Sequence, residues 1–362
     1  MAASAFLTRK PRKGNELNGN NNNKWNRLGA LAVALLTLSA ARPAADELPK
    51  FKAGLSTSFL GSPFFVALTT LTTQAAKSAG LNWLQPTDGQ SDPGKQISDI
   101  QTLVNSGARG LIVVPRDSDA IAPALKFAAA KSVAVVAIDV GINSGHAAMT
   151  VRADNHSMAR TACEAVGAAL RGQGKVLELQ GDLLNSSGRD RTDGFEFCMN
   201  LKFPNVKIIS RPTRWEQARA ADATQTILTA NPDIGAIYME SGSIMLPGVL
   251  SVLHQAGRKE KTGERNKIFL AAIDGSPYEL QKIRSGDLDA TVSQPLNMYA
   301  QLGVEYLRRA IKGDTFAVGP TAHGSQIVKN SAGNLEDLVP APIVTRRNVD
   351  DPTLWGNLAG VH

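Results

Sequence analysis

Cysteine is nearly absent from this chain, two residues in 362, and aromatic residues make up only 5% of it. Two cysteines exclude a disulfide-framework scaffold and any multi-cysteine metal cluster. The five histidines, at 146, 156, 254, 323 and 362, form no His-x-x-x-His pair, so no helical zinc site is predicted. Gly-x-Gly-x-x-Gly and Gly-x-Ser-x-Gly are both missing, which argues against a dinucleotide-binding turn and a hydrolase nucleophile elbow. Gly89-Gln-Ser-Asp-Pro-Gly-Lys95 imitates a phosphate loop, but Gln96 stands where Ser or Thr must hold Mg²⁺. Pro93 also removes one of the backbone N–H groups that would cradle phosphate. A capped helix start is the better reading, and no cofactor is expected.

Charge of one sign is scarce too, once the first 45 residues are set aside. Those residues hold Arg9, Lys10, Arg12, Lys13, Lys24, Arg27 and Arg42 against Glu16 alone. Removing them from 39 basic and 32 acidic residues leaves 32 against 31. The body is nearly neutral, and no basic patch predicts a nucleic-acid partner. Long hydrophobic runs are likewise missing. The longest, Leu28 to Ala41, spans 14 residues, short of the ~20 that cross a bilayer. Preceded by the basic segment and followed by small residues, it reads as a secretory signal peptide over 1–45. That predicts an exported body beginning near Asp46.

What the chain does have is strand–helix alternation. Strands are predicted at Lys52–Ser56, Leu81–Gln85, Gly110–Val114 and Val133–Ile138, with helices over Pro63–Ala79, Pro93–Ser106 and Ser118–Ala130 between them. A second cycle places helices at Asn155–Leu170, Arg189–Lys202, Gln217–Ala230, Pro247–Ala256 and Pro277–Ser285. Its strands are Lys175–Gln180, Val206–Arg211, Ile234–Glu240 and Ile268–Ile273. Continuous Val/Ile/Leu/Ala strands joined by helices mean parallel sheets with right-handed crossovers. The expected fold class is α/β: two similar doubly wound parallel-sheet lobes, a multi-strand hinge, and a ligand cleft between them. The boundaries read as 46–152 with 295–335 for the N-terminal lobe, 153–294 with 336–350 for the C-terminal lobe, and 351–362 as a tail frayed from Gly356. Cys163 and Cys198 read as two small buried residues.

One strand in each half ends in an acid, Ile138-Asp139 and Ile273-Asp274-Gly275. Ligands of open α/β sheets bind beyond such strand ends, so the two acids suggest one hydroxyl-gripping residue per lobe. Phe64 and Phe65 are adjacent at a helix start and cannot both face its core. One ring is free to offer a flat apolar face to the C–H side of a sugar or polyol. Arg189, read as a helix-start residue, can donate to two neighbouring oxygens. Trp215 follows a strand and suits either core packing or ligand stacking. Gln294 ends a short strand before Pro295, and its amide both donates and accepts. A glycosidase pair formed by Asp139 and Asp274 is the enzymatic alternative, but the expectation is that the protein is not an enzyme.

In order and spacing, Ser62-Pro-Phe-Phe65, Pro115-Arg-Asp-Ser-Asp119, Ile138-Asp139, Glu178-Leu-Gln-Gly181, Arg189-Asp-Arg-Thr-Asp-Gly-Phe195, Ile273-Asp-Gly-Ser-Pro277 and Ala290-Thr-Val-Ser-Gln294 resemble a known family. It is the exported ribose-type sugar-binding proteins of bacterial ABC importers, with the type I periplasmic binding fold, and the resemblance covers roughly residues 50–345. It implies that Phe64 and Trp215 sandwich a sugar ring beside Phe65, and that Asp139, Arg189, Asp274 and Gln294 bind its hydroxyls. Ser58 and Ser62 would lie at the mouth. The implied function is capture of a monosaccharide or polyol by hinge closure and delivery to an ABC permease, by a monomer in the periplasm. The alternative is a sensor presenting the ligand to a chemoreceptor or kinase. Departures from the ribose-type pattern at Ser62, Val114, Val140 and Glu240-Ser-Gly-Ser243 remove donors. A deoxy sugar, another pentose or a smaller polyol is as well suited as ribose.

Overall fold

A computed structural model describes residues 51–258 and 267–358. The expected signal peptide lies outside them. The chain opens with β1 (Lys52–Thr57), α1 (Pro63–Ser78), the short β2 (Asn82–Trp83) and β3 (Thr87–Asp88), then α2 (Pro93–Asn105) and β4 (Ala108–Val113). Next come α3 (Ala122–Ala130), β5 (Ala134–Ile138), β6 (Met149–Ala153), α4 (Asn155–Ala169), β7 (Gly174–Gln180), α5 (Ser186–Lys202) and β8 (Val206–Pro212). The run continues through α6 (Gln217–Ala230), β9 (Ile234–Met239), α7 (Gly242–Gln255), β10 (Phe269–Asp274), α8 (Pro277–Ser285) and β11 (Ala290–Ser293). It ends with α9 (Leu296–Ile311), β12 (Gly319–Pro320), β13 (Gln326–Lys329), β14 (Leu335–Val339) and β15 (Ile343–Val344).

The strands form two sheets. The first has the order β12-β13-β14-β6-β5-β4-β1-β2, with β3 also on β1, and the second has β15-β11-β10-β9-β7-β8. Pairing is parallel from β14 through β6, β5, β4 and β1 to β2, and from β11 through β10, β9 and β7 to β8. The Val/Ile/Ala runs are buried because helices cover both faces of each sheet. Three passages cross between the sheets: β6 to α4, β11 to α9, and β14 to β15. α9 packs on α1 and β5, so it belongs with the first sheet, whereas α4 packs on α5, β10 and β11.

Local signals explain most boundaries. Asp92 caps α2 by accepting from the N–H groups of Gly94 and Lys95, and Pro93 sits in its first turn. Lys95 itself is held by Asp99 and the Asp88 carbonyl, so the phosphate-loop imitation is a capped helix. Ser276 and Glu279 form a reciprocal capping box at α8, which Gly286 ends in the left-handed conformation.

Several expectations are corrected. β6 and the β12–β14 meander were not anticipated, and the expected lobe boundary after 335 falls inside β14. That strand lies parallel against β6 in the first sheet. The crossing comes later, at Pro340–Pro342, where proline lacks the N–H a ladder needs. The expected tail is packed as far as it is described: Leu354, Trp355 and Gly356 are buried, and Trp355–Asn357 forms a 3₁₀ turn, while residues 359–362 lie outside the described residues. Cys163 and Cys198 are buried as expected but also bonded, tying α4 to α5 with Cα atoms 6.2 Å apart. α5 begins at Ser186 rather than Arg189, capped by Asn185. α7 begins at Gly242, with Pro247 inside the helix rather than at its start.

Candidate functional site

The carboxyl ends of β1, β5, β7, β9, β10 and β11 converge on a cavity of about 50 Å³ between the two sheets, room for roughly four water molecules. From the first lobe come Ser62, Phe64, Phe65, Asp139 and Val140. The second lobe contributes Asn185, Ser187, Arg191, Trp215, Ser241, Ser243, Ile244 and Asp274, with Gln294 at the β11–α9 crossing. Phe64 and Phe65 meet edge to face with centroids 5.2 Å apart. Trp215 closes the other side, its indole lying over Gly181, where a Cβ would come within 2.0 Å of the ring. Only glycine allows that approach.

Both strand-end acids have positive φ, 68° at Asp139 and 136° at Asp274. Such backbone is costly for a residue with a side chain and persists where the surroundings over-determine it. For Asp274 the surroundings are explicit. Its Oδ2 accepts from Ser241 Oγ at 2.6 Å, from Ser243 Oγ, and from Ser243 N at 3.3 Å. Its Oδ1 accepts from Gln294 Nε2 at 2.8 Å and lies 3.9 Å from Arg191 Nη1. Asp139 is the opposite case. Its Oδ1 is buried and has no partner among the described residues. Burial pushes its carboxyl up to about 7, Arg191 pulls it down, and Asp274 adds to the rise.

Arg191, not Arg189, is the guanidinium of the cavity. Its Nε donates to Asn155 Oδ1 at 2.7 Å and its Nη1 to the Glu240 carbonyl at 2.5 Å, and it lies over the Trp215 ring. Arg189 points away, donating to the Leu183 carbonyl. The cause is helix register. Two residues turn a helix by about 200°, so these two arginines occupy opposite faces, and only one can look into the cleft. Ser58 is buried at the end of β1, its carbonyl accepting from Ser91 N, and it does not line the cavity. Ser62, Phe64, Phe65, Asp139, Trp215, Asp274 and Gln294 all line this one cavity.

Reading the sequence missed Arg191, Asn185, Ser187, Ser241 and Ser243. Asn185-Ser-Ser-Gly188 carried a cap signal that would have moved the start of α5 and, with it, the choice of arginine. Trp355, in the supposed tail, was missed as well. It is nearly fully buried against Phe64, centroids 5.9 Å apart and edge to face.

The lobes also meet around the cavity. Arg116 Nη2 donates to Asp182 Oδ2 at 2.8 Å, Gly141 N to Ser186 Oγ at 3.0 Å, and Ser186 N to Ser118 Oγ at 3.0 Å. Behind them the buried Arg152 of β6 pairs with Asp190 of α5. Two α/β lobes folded over a small, aromatic-walled polar cavity suit capture of a hydroxylated solute.

Residues 53–315 match the family model of the periplasmic binding protein domain. The chain belongs to the periplasmic binding protein family. This periplasmic binding protein is 29% identical over 285 residues to the ribose import binding protein of Escherichia coli, covering 79% of this chain and 93% of that protein. Among solved structures it is similar to an ABC transporter solute binding protein of Mycobacterium smegmatis with bound glycerol. That match has a TM-score of 0.72 and 26% identity over 83% of this chain and 96% of the other. It is likewise similar to the Caulobacter myo-inositol binding protein bound to myo-inositol, with a TM-score of 0.71 and 26% identity over 84% and 96% of the two chains. Among the described residues of this binding protein, no group of His, Cys, Asp and Glu is placed to hold a metal ion. No described helix is long and apolar enough to cross a membrane.

Proposed function

We propose that this protein captures a small monosaccharide or polyol in the cleft by hinge closure and delivers it to an ABC permease. The observation that carries the reading is the orphaned Asp139 Oδ1, buried in the cavity beside Phe64, Phe65 and Trp215. A buried acceptor without a donor costs free energy that a ligand hydroxyl restores. Arg191 and Asn185 line the same cavity, with Arg191 Nε and Nη1 and Asn185 Oδ1 already engaged. The rings offer C–H faces to the carbon skeleton. Closure is limited by the three passages between the sheets, which bend together as a hinge.

Binding without turnover is the supported mode. A glycosidase pair needs two working carboxyls, and Asp274 is already held by Ser241, Ser243 and Gln294. Asp139, Arg191 and Trp215 on their own elements complete the cavity within a single chain, which suits a monomer. The relatives named for import, and the basic leader with its short apolar run, support export to the periplasm and an ABC permease as the partner.

A thermal-shift panel of pentoses, hexoses, deoxy sugars and polyols on the body from Asp46 tests the reading. A ligand that binds only the folded state raises the melting temperature by mass action. A panel in which no sugar or polyol shifts it would overturn the proposal.

A further inference from the structure

We propose that Glu240, just past the end of β9, is a positioning residue that sets the Trp215 ring and the Arg191 guanidinium for the ligand without touching it; this rests on the solute-binding reading above. Glu240 is fully buried and is not among the residues that line the cavity. Its acceptors nevertheless reach both parts of the second-lobe wall. Oε2 accepts from Gly181 N at 2.7 Å, Oε1 from Thr192 Oγ1 at 2.6 Å, and the main-chain carbonyl from Arg191 Nη1 at 2.5 Å.

The Gly181 bond bears on Trp215. The indole lies over Gly181, and the turn that carries it hangs from the same loop. Thr213 N and Oγ1 both donate to the Gln180 carbonyl, at 2.9 and 2.7 Å, and Arg214 N donates to the Gly181 carbonyl at 3.2 Å. Arg214 and Trp215 have φ of 57° and 60°, a left-handed pair that persists only where its surroundings hold it. Glu240 fixes the floor on which that turn stands. The Thr192 bond bears on Arg191. Thr192 is the next residue on α5, so holding its hydroxyl fixes the helix register that turns Arg191 into the cleft. Arg191 also lies 5.8 Å from the centroid of the Trp215 ring, so the two parts support each other. A carboxyl suits this post because each oxygen can take one donor. The amide of Gln serves as well, its oxygen accepting from Gly181 N and its NH₂ donating to the Thr192 hydroxyl. Ala offers neither group and leaves a buried N–H unpaired.

Isothermal titration of D-ribose, D-xylose, xylitol, glycerol and myo-inositol on the wild type, Glu240→Ala and Glu240→Gln tests this, together with tryptophan emission of the apo proteins. The tightest-binding probe should lose about ten-fold or more in affinity in Glu240→Ala. Glu240→Gln should restore it to within about three-fold of the wild type. The emission of Trp215, each spectrum less that of the same protein carrying Trp215→Phe, should move to the red in Glu240→Ala and return in Glu240→Gln. Thr192→Val cuts only the α5 link, should lose about three-fold, and decides the matter if Glu240→Ala does not fold. Wild-type affinity in a folded Glu240→Ala or in Thr192→Val, or a Trp215 emission that does not move in Glu240→Ala, would overturn the inference and leave the solute-binding reading intact. So would a Gln variant as weak as the Ala one, which would mean that charge, not the paired hydrogen bonds, is what counts. Failure of all five probes to bind the wild type would overturn both.

Discussion

The indole N–H of Trp355 donates to the main-chain carbonyl of Asp274 at 2.7 Å. The same ring rests against Phe64, so a residue 81 positions along the chain from Asp274 pins the strained turn of one lobe while touching the aromatic wall of the other. Trp355→Phe keeps the ring and deletes the donor. It should cost about 0.5–1.5 kcal/mol of stability, the net worth of one hydrogen bond, because the carbonyl keeps the Gln294 N–H, and it should weaken ligand binding by loosening the turn that holds Asp274 at a φ of 136°. Urea denaturation and calorimetry check both. Unchanged stability would mean that the bond is dispensable.

The two nearby arginines separate cleanly. Arg189→Ala removes an exposed side chain bonded to the Leu183 carbonyl and should leave ligand affinity unchanged. Arg191→Ala leaves Asn155 Oδ1 and the Glu240 carbonyl without their donor and should lose the ligand-induced thermal shift altogether. Its stability should fall by about 3–5 kcal/mol, as when one partner of a buried pair is removed. Arg191→Lys, which keeps the charge but not the fork, should recover fold without affinity.

Apo stability should fall as pH rises. Burial pushes Asp139 up to about 7 and Glu240 and Glu279 up to about 8, from ordinary values of 3.8 and 4.5. Between the ordinary and the raised values, the folded state holds more protons than the unfolded chain. Alkali therefore favours unfolding. The loss begins near the ordinary values and is complete above about pH 8 to 9. Asp139→Asn should flatten the part of the curve between about pH 4 and 7, raising stability at pH 8 by up to a few kcal/mol while removing ligand binding. Urea midpoints across this range give the sign, and a wild-type midpoint that climbs from pH 5 to 8 would refute the assignment.

The disulfide between Cys163 and Cys198 closes a loop with a sequence separation of 35. In the chain-entropy account, a loop of that size is worth about 3–4 kcal/mol. Cys163→Ala/Cys198→Ala should lose about that much in a denaturant titration, with ligand affinity retained because neither sulfur lines the cavity. Thiol titration of the oxidised protein in denaturant should find no free cysteine.

The alternation of buried strands with capped helices was legible in the sequence, because period and cap are local properties. So were the two strand-end acids, the Phe64–Phe65 pair, Trp215 and Gln294. Legibility failed where a global relation sets the outcome. Arg189 was preferred to Arg191 because a shift in the start of α5 moves every side chain around the helix. β6 and β14 were overlooked because short strands are specified by the neighbours they pair with.

The sequence by itself determined that two α/β lobes would place an acid at the end of one strand each, since hydrophobic runs and turn residues act over a few positions. Only the tertiary structure decided what those acids do. Both oxygens of Asp274 are held, by Ser241, Ser243 and Gln294, while Asp139 keeps an oxygen without a partner. Hydrogen-bond satisfaction depends on groups brought together from distant parts of the chain, and no spacing along the sequence encodes which donors arrive.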